Sequence, residues 1–180
     1  MNINSKSILE HLGSWPQKRW PWLLLAAAAT GLVLTALYMQ HVNEQNPCEQ
    51  CIYQRTAMIG IALFAWLGAA APQYFAVRLV AFTGWIGSAW AGLSSANYHL
   101  WFQREANPLF TSCSAYPNFP SWAPLHEWLP SVFAITGMCG DDGWRLFGLN
   151  MPEWMQIIFS IFLGLAVVVI AARLFATRRI

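Results

Sequence analysis

The chain has 180 residues, 57% of them hydrophobic and 10% charged, where ordinary soluble domains carry about 25% charged residues. That balance argues against a water-soluble globular domain and for one integral membrane domain spanning residues 1–180. A net charge of +2, without a basic block interleaved with aromatics, gives no basis for nucleic-acid binding. Eleven tryptophans fit a chain with two membrane–water interfaces, where tryptophan gathers.

The segment Met1–Arg19 is polar and carries Lys6, Lys18 and Arg19. An apolar run follows over about 20–39, too long for a signal-peptide core and with no small-residue cleavage site behind it. It reads as a first span, long enough at roughly 20 residues to cross a bilayer. A polar loop over about 40–50 leads to a second apolar run, about 51–71. After the break at Pro72-Gln73, a third run covers about 75–95 and is rich in small residues, which let membrane helices approach closely.

A long polar excursion, about 97–151, holds five of the ten prolines. Within it Leu125, Trp128, Leu129, Val132 and Phe133 fall at helical spacing, the pattern of a short amphipathic helix on a bilayer surface, although Pro130 interrupts it. A packed loop with one apolar side is the alternative. The last span is expected over about 152–172, opened by Pro152. The fold class expected is therefore an all-α membrane protein, a four-transmembrane-helix bundle with two loops on one side, the second carrying the short interfacial helix.

Charge gives the orientation. Lys6, Lys18, Arg19, Arg78, Arg173, Arg178 and Arg179 fall on one side, and every acid except Glu10 on the other with Arg55, Arg104 and Arg145. The positive-inside rule then places both termini in the cytoplasm and all four cysteines outside, where disulfides persist.

The cysteines are Cys48 and Cys51 in Pro47-Cys48-Glu49-Gln50-Cys51-Ile52-Tyr53-Gln54-Arg55, and Cys113 and Cys139 in the long loop. A Cys-x-x-Cys pair can form a small strained disulfide, and a second cysteine that opens a helix has its thiolate favoured by the dipole. Arg55, four residues after Cys51, adds positive charge on the same helical face. No metal site is expected: a four-cysteine zinc site usually uses two close pairs, and Cys113 and Cys139 are far apart. A purely structural bridge between Cys48 and Cys51 would close too short a loop to remove much unfolded-state entropy. Alone, Cys113 and Cys139 fit a structural disulfide equally well. Beside a membrane-edge Cys-x-x-Cys they favour an exchange relay through mixed disulfides.

The order of spans, the Pro47–Arg55 motif, the loop with Cys113 and Cys139, and Phe147-Gly-Leu-x-Met-Pro-x-Trp154 together resemble the bacterial DsbB family, from Trp20 onward. The resemblance implies an inner-membrane protein-dithiol:quinone oxidoreductase that reoxidises a periplasmic DsbA-type, thioredoxin-fold partner. Cys113 would be attacked by the partner's thiolate, and Cys139 would pass the reducing equivalents through Cys48 to the Cys48–Cys51 disulfide. Cys51 would then reduce a membrane quinone, ubiquinone or menaquinone, with Arg55 and His99 beside it. His41 is read as structural and His126 as lying on the surface helix.

The chain differs from well-known members in carrying Glu49-Gln50 inside the motif, where they have apolar residues, and Gln54 where an acid is common. A carboxylate beside Cys48 is expected to disfavour nearby thiolates. Competing readings are a paralogue dedicated to one specialised oxidant, a membrane scaffold with structural disulfides, and a zinc-binding membrane protein.

Overall fold

The computed structural model describes residues 14–105, 113, 114, 116–140 and 144–177. Among these, four long helices carry the fold: α1 (Arg19–His41), α2 (Glu49–Ala70), α3 (Phe75–Glu105) and α6 (Met151–Thr177). A single 3-10 turn, Trp15–Gln17, leads into α1, with Pro16 at its start. The long loop contributes two one-turn helices, α4 (Leu125–Trp128) and α5 (Pro130–Phe133), and a hairpin of β1 (Arg145–Leu146) and β2 (Leu149–Asn150).

Three of the long helices, α1, α2 and α6, are long and apolar enough to cross a membrane. The third, α3, is not among them; its Arg, Ser, Asn, Gln and Gly residues dilute its hydropathy. It also continues to Glu105, well beyond the apolar run expected over about 75–95. His99 and Leu100 are buried on this extension, and Arg104 near its end pairs with Glu153 of α6, so packing sustains the helix past the apolar segment.

The helices meet through glycine and alanine. α2 packs on α1 and α3, and α3 packs on α6. A Cβ on Gly68 of α2 would come within 2.6 Å of the Trp22 ring of α1, and one on Gly84 of α3 within 2.3 Å of Phe64 of α2. Gly92 of α3 faces Phe159 of α6 at 2.2 Å in the same sense. The buried centre is otherwise made of Ala26, Ala29, Ala65, Ala81 and Ala89 around Met58, Ile61 and Trp85. Large apolar side chains such as Leu24, Leu63, Trp90, Ile161 and Val167 point outward instead. Between helices in lipid, close packing rather than apolar burial drives association, so small residues inside and large ones outside suit a membrane environment.

Basic residues close one end of the bundle. Arg19 donates from Nη2 to the carbonyl oxygen of Ala70 at 2.9 Å, and Arg78 from Nη1 to that of Pro72 at 2.8 Å. Both bonds satisfy backbone oxygens at the turn joining α2 to α3, where the end of α2 carries partial negative charge.

Both cysteine-bearing segments lie at the other end. The stretch expected as one amphipathic helix forms two separate turns instead: Leu129, before Pro130, has φ −136° and ψ 69°. Proline disfavours the helical conformation in the residue before it, which breaks the helix at that point. Only Phe133 of its apolar residues is fully buried; Trp128 and Leu129 remain exposed. The hairpin is an addition to the all-helical reading. Phe147 (φ 51°) and Gly148 (φ 83°) both adopt the left-handed conformation of a two-residue hairpin turn. Immediately afterwards Asn150 and Glu153 cap α6 reciprocally, each backbone N–H donating to the other's side chain at 2.9 and 3.0 Å.

Candidate dithiol–disulfide site

Cys48 is the N-cap of α2 in extended conformation, and its sulfur accepts from the backbone N–H of Cys51 at 3.4 Å. The helix therefore opens with Glu49, and Cys51 sits in its first turn rather than at its opening. This geometry brings the two sulfurs to 2.9 Å while both cysteines remain free. Cys48 is buried and Cys51 half-buried. The Cys48 thiol is pushed well up from its ordinary value, first by its hydrogen bond with the Cys51 sulfur and then by burial. Negative charge is therefore disfavoured on Cys48 where it sits.

Cys113 and Cys139 form a disulfide, with Cα atoms 6.1 Å apart. It is seated against the first pair by backbone contacts: the N–H groups of Thr136 and Gly137 both donate to the carbonyl oxygen of Pro47 at 3.0 Å. Gly137 has no space for a side chain there, since a Cβ would lie 2.2 Å from the Asn46 carbonyl oxygen. As a result the sulfurs of Cys48 and Cys139 and a ring nitrogen of His99 all lie within 4.8 Å of one another, and all three residues are buried. Two sulfur centres, one thiol and one disulfide, are adjacent with His99 between them.

His99 comes from α3 and stands 3.7 Å from the Cys48 sulfur through Nε2. The same Nε2 is 3.1 Å from the Cys139 carbonyl oxygen. A carbonyl only accepts, so Nε2 carries the proton in that hydrogen bond. This places His99 between the two cysteine pairs, closer to Cys48 than a role confined to a cofactor beside Cys51 requires. Cys48, His99 and Cys139 have the residue types of a metal site, but the Cys139 sulfur is committed to its disulfide and cannot serve as a thiolate ligand.

Arg55 lies one turn beyond Cys51 and is buried. Its Nη1 donates to Gln40 Oε1 of α1 at 2.6 Å and to the carbonyl oxygen of Val132 in α5. His41 Nε2 and Gln40 Nε2 reach the neighbouring Ser131 carbonyl oxygen at 3.0 and 3.2 Å. His41 accordingly has the structural place expected of it, and His126 lies in α4, stacked on Phe119. Gln50 is buried against α3, where the Ser95 hydroxyl donates to its side-chain oxygen at 2.9 Å.

Sequence reasoning missed Gln40, and saw in Glu49 only an acid expected to disfavour nearby thiolates. Gln40 was legible only as a polar residue ending an apolar run, yet it holds Arg55. Glu49 was visible as an unusual acid between the cysteines, without any sign of what it binds.

A helical scaffold with three helices long and apolar enough to cross a membrane, holding a Cys-x-x-Cys pair against a loop disulfide, has the parts of a membrane thiol–disulfide protein. The comparisons with known proteins name the family. Residues 18–169 match the family model described as disulfide bond formation protein DsbB. A protein named disulfide bond formation protein B from Psychromonas ingrahamii is 43% identical over 172 residues, 96% of this chain and 92% of that protein. Namesakes from Idiomarina loihiensis (44% identical; 88% of this chain, 87% of that protein) and Pseudoalteromonas atlantica (46%; 90% and 94%) are similarly close. The chain belongs to the DsbB family, and its role lies in disulfide bond formation.

Proposed function

We propose that the protein is a dithiol:quinone oxidoreductase of the bacterial inner membrane, a single four-span domain with cytoplasmic termini and its cysteines on the periplasmic side. The substrate is the dithiol of a DsbA-type, thioredoxin-fold oxidant, and the acceptor is ubiquinone, with menaquinone as the alternative. α3 serves as the fourth span. Among the residues that lower its hydropathy are Gly84 and Gly92, which bring it against Phe64 of α2 and Phe159 of α6 as small residues do between membrane helices.

The observation that carries the reading is the adjacency of the Cys48 and Cys139 sulfurs within 4.8 Å. In the proposed relay the partner's thiolate attacks Cys113, forming a mixed disulfide and releasing Cys139 as a thiolate. The partner's second thiolate then displaces Cys113 and leaves oxidised. The Cys113–Cys139 dithiol next reduces an oxidised Cys48–Cys51 pair: Cys139 attacks Cys48, Cys51 leaves as a thiolate, and Cys113 closes the loop disulfide by displacing Cys48. Two electrons and two protons then pass from Cys48 and Cys51 to the quinone, giving the hydroquinone and restoring their disulfide. A DsbA-type oxidant at about −120 mV needs a still more oxidising acceptor, which a quinone supplies.

The residues after Cys51 suit such an acceptor. Arg55 Nε and Gln54 Nε2 are buried donors without a hydrogen-bond partner among the described residues. A quinone carbonyl offers the acceptor such buried donors require. Arg55 supplies charge for the reduced oxygen, and Cys51 is the exit for the electrons.

Quinone reduction followed by absorbance tests the reading, with purified protein, reduced DsbA-type partner and a soluble ubiquinone analogue. Turnover is expected from the native chain and none from Cys51→Ser, whose loop disulfide still forms. Normal turnover by Cys51→Ser would contradict the assigned exit.

A further inference from the structure

The two arms of the loop disulfide are held by the residues on either side of Cys48, in different ways. The Cys139 arm is fixed by backbone: Thr136 and Gly137 N–H groups on the Pro47 carbonyl, with Gly137 pressed against Asn46. The Cys113 arm is held by side chains. Ser114, next to Cys113, donates its backbone N–H to Glu49 Oε2 at 2.9 Å. The other carboxylate oxygen, Oε1, accepts from the Tyr53 hydroxyl at 3.1 Å. That hydroxyl accepts in turn from the backbone N–H of Asn118 at 2.8 Å, and the Tyr53 ring meets Phe119 edge-on.

We propose that Glu49 is a positioning residue: its carboxylate, with Tyr53, latches the Cys113 arm beside Cys48 and lets it swing away when a thiol partner takes Cys113. The proposal rests on the relay above, which assigns the two arms different tasks. Cys139 must stay within reach of Cys48, and a backbone clamp with no room for a Cβ keeps it there. Cys113 must leave to carry a bulky partner, then return to close the disulfide. A latch of side-chain hydrogen bonds at a half-exposed carboxylate can open without disturbing the clamp on the other arm. A charged acceptor makes the stronger bond to a backbone N–H than a neutral one. Glu49 and Tyr53, at i and i+4, share one face of α2, so a single helical turn presents both parts of the latch. This gives the acid inside the Cys-x-x-Cys motif a use that apolar residues there could not serve.

Amide hydrogen exchange of the full chain in lipid nanodiscs, resolved to single residues, tests the latch. Glu49→Ala is expected to speed exchange at Ser114 and Asn118 by roughly three- to tenfold, the worth of one exposed hydrogen bond, while Thr136 and Gly137 keep their protection. Tyr53→Phe should affect Asn118 more than Ser114, and Glu49→Gln, which keeps an acceptor oxygen, should recover part of the protection at Ser114. In parallel, reduced glutathione should open the Cys113–Cys139 disulfide of Glu49→Ala faster, as Cys113 becomes easier to attack. Unchanged exchange at Ser114, or a loss spread equally over Thr136 and Gly137, overturns the latch. Either result leaves the relay untouched, whereas turnover by Cys51→Ser would overturn the relay and leave the exchange result standing.

Discussion

Arg55 and Val132 are joined across the site: the guanidinium of α2 donates to the carbonyl oxygen of the one-turn helix α5, which belongs to the disulfide-bearing loop. Gln40 of α1 holds the same Nη1 at 2.6 Å. The cation proposed to face the acceptor is therefore also a strut between α1, α2 and the loop. Arg55→His removes the fork that reaches both partners. Hydrogen bonds to charged groups contribute about 1.5–3 kcal/mol each. The apparent KM for the quinone is expected to rise roughly tenfold or more, with a smaller fall in kcat. Steady-state kinetics over a quinone series checks this, and an unchanged KM would remove Arg55 from the acceptor site.

His99 offers a way to tell the two ends of the relay apart. Its Nε2 lies at 3.7 Å from the Cys48 sulfur and 3.1 Å from the Cys139 carbonyl oxygen. His99→Phe leaves that carbonyl without its donor, at a cost of about 1–3 kcal/mol where the group is buried. Electron transfer from the loop pair to Cys48 and Cys51 is expected to slow several-fold while the quinone KM stays the same. Rapid-quench alkylation of the two pairs measures the first and steady-state kinetics the second. A raised quinone KM with normal transfer would move His99 to the acceptor.

Packing gives a prediction independent of redox chemistry. A Cβ on Gly92 would sit 2.2 Å from the Phe159 ring, whereas one on Gly87, also in α3, would meet nothing within 4 Å. Overpacking of this kind costs about 1–3 kcal/mol. Gly92→Ala is expected to lower the Tm in detergent by several degrees, and Gly87→Ala to leave it unchanged or slightly higher. Equal Tm values for the two variants would contradict the α3–α6 contact.

The sequence and the structure agree where the physics is local. Apolar runs and their breaks gave α1, α2 and α6, because a helix in lipid needs an uninterrupted apolar stretch. The Cys48–Cys51 spacing announced a pair close enough to bridge, and the two sulfurs lie 2.9 Å apart as free thiols. The end of α3 was not legible, since helix 96–105 is sustained by burial of His99 and Leu100 and by the Arg104–Glu153 pair, contacts made with distant parts of the chain. The clamps on the loop disulfide were hidden for the same reason. Pro47 with Gly137, Glu49 with Ser114 and Gln40 with Arg55 are each far apart in sequence or held by generic polar groups, and no spacing rule reports them. The hairpin at Phe147–Gly148 was hidden in another way. Its left-handed turn residue is a phenylalanine, where asparagine or aspartate would have signalled the turn.

The account stands on electrons crossing between the pairs at Cys48 and Cys139. The most direct measurement is the disulfide state of the double variant Cys51→Ser, Cys113→Ser after mild oxidation, read by mass spectrometry of non-reduced peptides. Cys48 and Cys139 are then the chain's remaining cysteines, and the account predicts that they join. The companion variant Cys48→Ser, Cys113→Ser, which retains Cys51 and Cys139, is expected to stay largely reduced. Failure of Cys48 and Cys139 to join, or efficient bridging of Cys51 to Cys139 instead, would contradict the relay.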